Sequence, residues 1–208
     1  CRLLQKLLAA FKPGDVVLAD RGFSSYASLA TLLACGVDAV MRLHQFRKLD
    51  WRAGQRLGHR DRLVRWQKGL LQGKLWTAEQ WAQLPAELTV RLVEIVVAVP
   101  GFRTQKLVLV TTLLDAQTYS AAALGQLYFR RWAVELCFRD IKTTLGLDVL
   151  RCLTPEMVRK EIVMHTLAYN LIRALMQDIA QSHQVSGQRL SFKGTVDALR
   201  QWRYLFEN

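Results

Sequence analysis

The sequence lacks the features that mark membrane, secreted and zinc-binding proteins. It has no apolar run approaching the roughly 18 residues of a membrane-spanning helix, and no basic segment followed by an apolar one, as in a secretory signal. Its four cysteines have no CxxC spacing, and its four histidines are scattered along the chain. We therefore expect no zinc site and no membrane partner, and we expect the cysteines to be buried thiols in a reducing cytoplasm.

Acidic residues are also few. The chain has 17 Asp and Glu against 29 Lys and Arg, which gives a net charge of +12. Such an excess favours a polyanionic partner, most often nucleic acid. An anionic membrane surface is the rival partner, but the sequence contains no basic amphipathic anchor. With 208 residues, of which 51% are hydrophobic, the chain can bury a good core as one domain or as one domain with an insertion.

A strand–helix–strand pattern occupies the first part of the sequence. Residues 15–20 form a short β-branched run that ends on Asp20, and a helix capped by Ser24 or Ser25 follows. A second strand at residues 38–43 would complete a βαβ unit. Open α/β sheets present functional side chains at the C-terminal ends of their strands, where Asp20 lies. The alternative is that Asp20 caps the next helix or pairs with Arg21.

The next part of the sequence, residues 45–115, is basic and rich in β-branched residues. Nine Lys or Arg and only two acids lie between residues 47 and 74, interleaved with Trp51, Trp66 and Trp76. Each tryptophan could stack on an unpaired base or anchor a small core. Residues 88–99 and 106–114 predict a β-hairpin that turns at Pro100 and Gly101.

Residues 128–142 contain no Gly or Pro and predict part of one helix over about residues 120–145. On a helical wheel, five polar side chains fall within an arc of about 80° between two apolar sides: Tyr128, Arg131, Glu135, Arg139 and Lys142. Glu135 could pair with Arg131 and Arg139, four residues away on either side. Alternatively, Glu135 binds a metal ion and the cations hold phosphates.

Two further helices are predicted after this segment. A Thr154-Pro155-Glu156 start predicts a helix to about Ser182, and residues 192–206 predict a last short helix. Core contacts of the longer helix are expected from five apolar residues: Ile162, Val163, Leu167, Leu171 and Leu175.

Three segments carry a resemblance to a known family. The pattern Tyr128, Arg131, Glu135 and Lys142 resembles the Tyr-Arg-Glu-Lys signature of insertion-sequence DDE transposases of the insertion sequence four group. The following segment, residues 146–176, is similar to that family, and the VVLADRGF segment at residues 16–23 is similar to the family's second-aspartate segment.

The resemblance implies an α/β fold, namely a partial ribonuclease-H-like core with a β-rich insertion. We divide the chain into residues 1–44 (N-terminal part of the core, first strands missing), 45–115 (basic, β-rich insertion) and 116–208 (helical C-terminal part with the signature helix). The first aspartate of the family's three carboxylates would lie on a strand upstream of residue 1. We therefore expect this chain, which begins with Cys1, to be truncated at its N-terminus.

The expected chemistry is metal-dependent cleavage of DNA. Asp20 and Glu135 are the hypothesised ligands of Mg²⁺, with Mn²⁺ as a substitute, because Mg²⁺ prefers carboxylate oxygens. The resemblance implies that Tyr128, Arg131 and Lys142 hold DNA phosphates, and the helical wheel adds Arg139. The family reaction is strand nicking at the ends of the mobile element, followed by strand transfer into target DNA.

Two functions stay open from the sequence. The chain is either the catalytic core of a transposase or a shortened product that binds DNA or a full-length partner without cutting. Expected partners are the element ends, target DNA and a second copy assembled on DNA. The expected location is the bacterial cytoplasm, in association with the nucleoid.

Overall fold

The N-terminal βαβ prediction is confirmed in the computed structural model, which describes residues 2–70, 76–97 and 105–206. Strand β1 (Val16–Ala19) runs parallel to β2 (Asp38–Arg42), with helix α2 (Tyr26–Ala34) between them. The Ser25 hydroxyl caps α2 by accepting a hydrogen bond from the Ser28 amide.

The remaining elements are as follows. The other helices are α1 (Arg2–Leu7), α3 (Ala78–Gln83), α4 (Ala121–Phe129), α5 (Trp132–Arg139), α6 (Pro155–Ser182) and α7 (Phe192–Phe206). The other strands are β3 (Gln55–Gly58), β4 (Asp61–Gln67), β5 (Glu87–Val97) and β6 (Gln105–Thr111). Short 3₁₀ turns occupy Leu8–Ala10, Arg21–Phe23 and Gly187–Arg189. The chain divides into a first unit, Cys1–Arg131, and a second unit, Trp132–Asn208.

One six-stranded sheet, in the order β1-β2-β6-β5-β4-β3, contains all the described strands. The predicted hairpin is confirmed, since β5 and β6 pair in antiparallel fashion; its predicted turn at Pro100 and Gly101 lies outside the described residues. Because β6 also pairs with β2, the β-rich stretch extends the sheet of the βαβ unit. The α/β class is confirmed, whereas the three-part division stays a prediction.

The sheet of the first unit buries apolar side chains on both of its faces. Neighbouring residues of a strand point to opposite faces, so Met41 packs in a cluster with Leu29 and Leu32 of α2, while Val40 packs in a second cluster with Leu124 of α4.

The three tryptophans of the basic stretch anchor a core, which is one of the two roles that the sequence left open for them. Trp66 is buried in the first cluster, and Trp51 and Trp76 are partly buried against it.

A buried ion pair joins this sheet to the loop before α4. The Arg91 guanidinium donates to both carboxylate oxygens of Asp61, at 2.8 and 2.5 Å, and to the carbonyl oxygen of Tyr119 at 2.6 Å. The Arg91 side chain has no exposed surface. A buried guanidinium needs such partners because an unpaired charge in the interior is strongly destabilising.

The prediction of one helix over residues 120–145 is wrong. Helix α4 ends at Phe129, where the amides of Arg130 and Arg131 donate to carbonyls three residues back, at 3.0 Å each. Bonds that span three residues wind the backbone more tightly than the four-residue bonds of an α-helix, so they interrupt the regular α-helical hydrogen bonding. Helix α5 then passes into a π-turn at Asp140–Thr144. A single helical wheel therefore does not describe residues 128–142.

The second unit has a small core of its own. Met176 of α6 packs with Phe192 and Val196 of α7, and the carboxylate of Asp140 accepts a 2.8 Å hydrogen bond from Arg173. The boundaries predicted for α6 and α7 are confirmed. The predicted core contacts of α6 are wrong, because five residues are exposed: Ile162, Val163, Leu167, Leu171 and Leu175. The buried positions of α6 are Met176 and Ala180, which face α7 and the turn before it.

The predictions about membrane spans and cysteines can also be compared with the structure. Among the described residues, none of the helices combines the length and the apolar character that a membrane-spanning segment requires. The described cysteines are free thiols, but Cys35 is exposed and Cys137 and Cys152 are only half-buried. The expectation of buried thiols is therefore wrong, since none of the three lies inside an apolar cluster.

Candidate active site

Asp20 lies directly after β1, at the C-terminal edge of the parallel strand pair. It is exposed, and its Oδ1 accepts a 2.8 Å hydrogen bond from the Arg21 amide, which caps the short turn Arg21–Phe23. The alternative that Asp20 acts as a cap therefore holds for its Oδ1 oxygen. No hydrogen bond from the described residues reaches Oδ2. Asp20 can therefore cap the turn and still offer an oxygen to a ligand.

Tyr128 lies near Asp20 within the first unit. The Ser120 cap starts α4, and Leu124 and Tyr128, four residues apart, both pack on the sheet. Burial raises the pKa of Tyr128; Arg131 lowers that pKa and Asp20 raises it, which places both charged groups within electrostatic range of the phenol. The Arg131 guanidinium carbon lies 5.5 Å from the centre of the Tyr128 ring.

Arg42 is a further cation of this site, and the sequence analysis missed it. Ala19 and Met41 are paired in register, so Asp20 and Arg42 occupy the next positions at the same edge of the sheet. Arg42 also lowers the pKa of Tyr128, the smallest of the effects on that group. The sequence did contain a signal for Arg42, because it is a cation at the end of the second strand of a βαβ unit. In that position it lies beside the residue that ends the first strand.

The remaining predicted site residues lie in the second unit. Glu135 and Arg139 are exposed on α5, and Lys142 is exposed in the π-turn. Arg139 Nη2 lies 3.9 Å from Asp140 Oδ1, and Lys142 Nζ lies 6.0 Å from the centre of the Phe138 ring. Asp20 belongs to the first unit, so a metal ion shared by Asp20 and Glu135 stays a prediction.

The donor chemistry at these two positions fits a hard divalent cation. Asp20 and Glu135 both present exposed carboxylates, and Mg²⁺ is commonly bound through one or two carboxylates together with water and substrate phosphates. Among residues 2–70, 76–97 and 105–206, no group of three or more His, Cys, Asp or Glu side chains is arranged to hold a metal ion.

Comparison with known proteins defines the class to which this arrangement belongs. Residues 1–171 match the family described as "Transposase DDE domain". The chain belongs to this family of DDE transposases, and the resemblance to the insertion sequence four group is confirmed.

Particular relatives come from insertion sequences of Escherichia coli. The chain is 28% identical over 182 residues to the transposase InsG of insertion sequence element IS4 from strain K12, covering 86% of this chain and 39% of that protein. It is 28% identical over 193 residues to the putative transposase InsL of element IS186A from strain K12 and, likewise, to the transposase of element IS421. Those matches cover 78% of this chain and 51% of each relative. The chain thus spans about two-fifths to one half of these curated relatives.

Proposed function

We propose that this chain is the catalytic-core part of a DNA transposase that cuts and joins DNA strands with divalent metal ions. The observation that carries the proposal is the group formed by Asp20, Tyr128, Arg131 and Arg42 at one edge of the sheet. One carboxylate among two cations and a phenol suits a metal-bound phosphodiester, because the cations neutralise phosphate oxygens that the carboxylate alone would repel.

Each residue of the group has a proposed role. Asp20, with Glu135 from the second unit, holds the metal ions, with Mg²⁺ as the ion used and Mn²⁺ as a substitute. When bound, such ions activate the attacking oxygen and neutralise the leaving oxygen. Burial raises the pKa of Tyr128, so the phenol stays protonated and donates a hydrogen bond to phosphate. Arg131, Arg139 and Lys142 bind neighbouring phosphates.

The third carboxylate is proposed to come from a strand that pairs with β1. The sheet order puts β1 at one end, so one of its edges has no strand partner among the described residues. A residue at the end of a parallel strand added there would lie beside Asp20, just as Arg42 does on the other side. The open edge of β1 supports the proposed ribonuclease-H-like core. We also propose that DNA is the substrate and that the protein acts in the bacterial cytoplasm.

Iron-directed cleavage of the polypeptide tests the shared metal ion without requiring DNA cleavage. Fe²⁺ that replaces Mg²⁺ reduces added hydrogen peroxide to hydroxyl radicals, which cut the backbone beside its ligands, while ascorbate returns the oxidised iron to Fe²⁺. We expect cuts near residues 20 and 135 in the 208-residue chain, and we expect Asp20→Asn to weaken both. Mg²⁺ should compete with the iron. Cuts near residue 20 alone, unchanged in Glu135→Gln, would refute a shared ion.

A second candidate function has its own support, namely that no group of three or more candidate metal ligands comes together among the described residues. In that case the chain binds DNA, or a full-length partner assembled on DNA, without cutting. Incubation with duplex DNA and Mg²⁺ separates the two functions. Nicking that is lost in Glu135→Gln supports the cutting function, whereas salt-dependent binding without nicking supports the second function.

A further inference from the structure

The β3–β4 ribbon places two arginines directly opposite each other. Strand β3 is the end strand of the sheet, and its Arg56 is paired in register with Arg62 of β4. Directly opposed residues lie on the same face of a ribbon, where like charges destabilise the pairing. Among the described residues, no carboxylate forms an ion pair with either arginine. The ribbon therefore carries an uncompensated pair of positive charges.

The local backbone holds this pairing in place. Gly54 has φ +79°, and a Cβ atom at this position would overlap the carbonyl oxygen of Leu63. The close approach keeps the start of β3 against β4, and Arg62 Nη1 donates to the Gly54 carbonyl oxygen at 3.5 Å. Each guanidinium carries five N–H donors, and the described residues accept no other hydrogen bond from either side chain, so donors of both arginines remain for a ligand. Arg60, beside the ribbon, has Glu94 as a partner at 3.9 Å.

We infer that Arg56 and Arg62 form a clamp for the phosphate backbone of duplex DNA. Two forks of donors on one face match adjacent phosphate oxygens, and the major groove of DNA is wide enough for a two-stranded β-ribbon. Bound phosphates would neutralise the opposed charges. The inference rests on the proposed function, because a transposase acts on duplex DNA.

The position of the clamp in the sheet separates it from the candidate active site. Asp20 follows β1, at one end of the sheet, whereas β3 forms the other end. Six strands spaced about 4.8 Å apart span roughly 24 Å, which corresponds to about seven base pairs at 3.4 Å each. The clamp would thus bind the duplex away from the bond that is cut, and it would contribute affinity and register.

The salt dependence of binding to a labelled duplex of arbitrary sequence tests the clamp. Each phosphate contact contributes about 0.9 to the slope of log affinity against log salt, so Arg56→Gln/Arg62→Gln should reduce that slope by about 1.8. The matched control is Arg65→Gln/Arg200→Gln, which removes two exposed arginines that have carboxylate partners, Glu87 and Asp197. We expect the control to change the slope by less than about 0.5, and we expect the ribbon variant to melt no lower than the unaltered chain.

The outcomes are distinct. Equal slope changes in both double variants, no change in the ribbon variant, or no binding of duplex by the unaltered chain would each overturn the clamp. If the double variant fails to fold, Arg56→Gln alone, at an exposed position, should change the slope by about 0.9. Failure of the proposed function has a separate signature. Iron-directed cuts near residue 20 would then be unchanged in Glu135→Gln, whatever the slope of the ribbon variant.

Discussion

The two units of the chain each contain a carboxylate–arginine pair, and the two pairs differ in their surroundings. In the first unit, Asp61 and Arg91 lie within the sheet, and Arg91 has no exposed side-chain surface. In the second unit, Asp140 is buried, but 34% of the Arg173 side chain is exposed, and its guanidinium lies 5.3 Å from Tyr169 and 5.0 Å from Phe192. The buried Arg91 guanidinium depends on protein groups for all of its hydrogen bonds, whereas water solvates part of the Arg173 guanidinium.

This difference extends to the architecture of the units. The sheet of the first unit has apolar clusters on both faces, whereas the small cluster of the second unit centres on Met176, Phe192 and Val196. The signature residues are divided between the two, since Tyr128 and Arg131 precede the boundary and Glu135 follows it. One motif thus joins a sheet-based unit to a helical unit.

The largest expected effect comes from breaking the pair in the first unit. Arg91→Met leaves the Asp61 carboxylate buried without its partner, and this should lower the free energy of unfolding by about 3–5 kcal/mol. Chemical denaturation followed by circular dichroism measures the loss. The control Asp61→Leu/Arg91→Met removes both charges and should lose much less. A loss below about 1 kcal/mol for the single variant would contradict the role assigned to this pair.

A smaller effect is expected for the pair in the second unit. Asp140→Asn removes the negative charge of the acceptor and so weakens the hydrogen bond from Arg173, and the partially exposed Arg173 can recover water, so we expect a loss of about 1–2 kcal/mol. Hydrogen exchange should show faster opening of α6 and α7 and unchanged protection of the sheet. Asp148→Asn, at an exposed position of the same unit, is the control. Equal loss of protection in both units would remove the proposed difference between them.

The smallest expected effect is a pH-dependent loosening of the segment that the Glu161 carboxylate holds. The Glu161 carboxylate accepts hydrogen bonds from the amides of Arg151 and Cys152, and these bonds lower its pKa from the ordinary 4.5. A lowered folded-state pKa contributes stability that is present above the ordinary value and is lost as the pH falls through the folded-state value.

Acidification from neutral pH through the folded-state pKa of Glu161, which lies below 4.5, should therefore deprotect these two amides in hydrogen exchange measured by NMR. Glu161→Gln should remove the pH dependence, whereas Glu156→Gln, which alters an exposed carboxylate of the same helix, should retain it. Protection that stays constant on acidification would show that the Glu161 carboxylate does not hold this loop.

Local patterns predicted most of the regular elements. The β-branched run before Asp20, the Ser25 cap and the Thr154-Pro155 start each satisfy backbone groups within a few residues, so their structural consequences follow without knowledge of distant contacts. The same reasoning failed for residues 120–145. Helix propensity does not predict the turn at Arg130 and Arg131, or the burial of Asp140 in the π-turn.

The candidate site was predicted in part for the same reason. Asp20 and Tyr128 could be selected from their residue types and positions, but the proximity of Arg42 follows from the parallel register of β1 and β2. Likewise, the basic character of residues 47–74 is evident in the sequence, whereas the opposition of Arg56 and Arg62 is a consequence of strand pairing.

The sequence by itself determined the class of this protein, its excess of positive charge and the boundaries of most helices and strands, because these depend on composition and on contacts between near neighbours. Tertiary structure alone decided which charges meet. It buried Arg91 against Asp61, brought Arg42 beside Asp20 and opposed Arg56 to Arg62. The physical reason is that strand register and sheet order join residues far apart in the chain, and no local preference specifies those pairings.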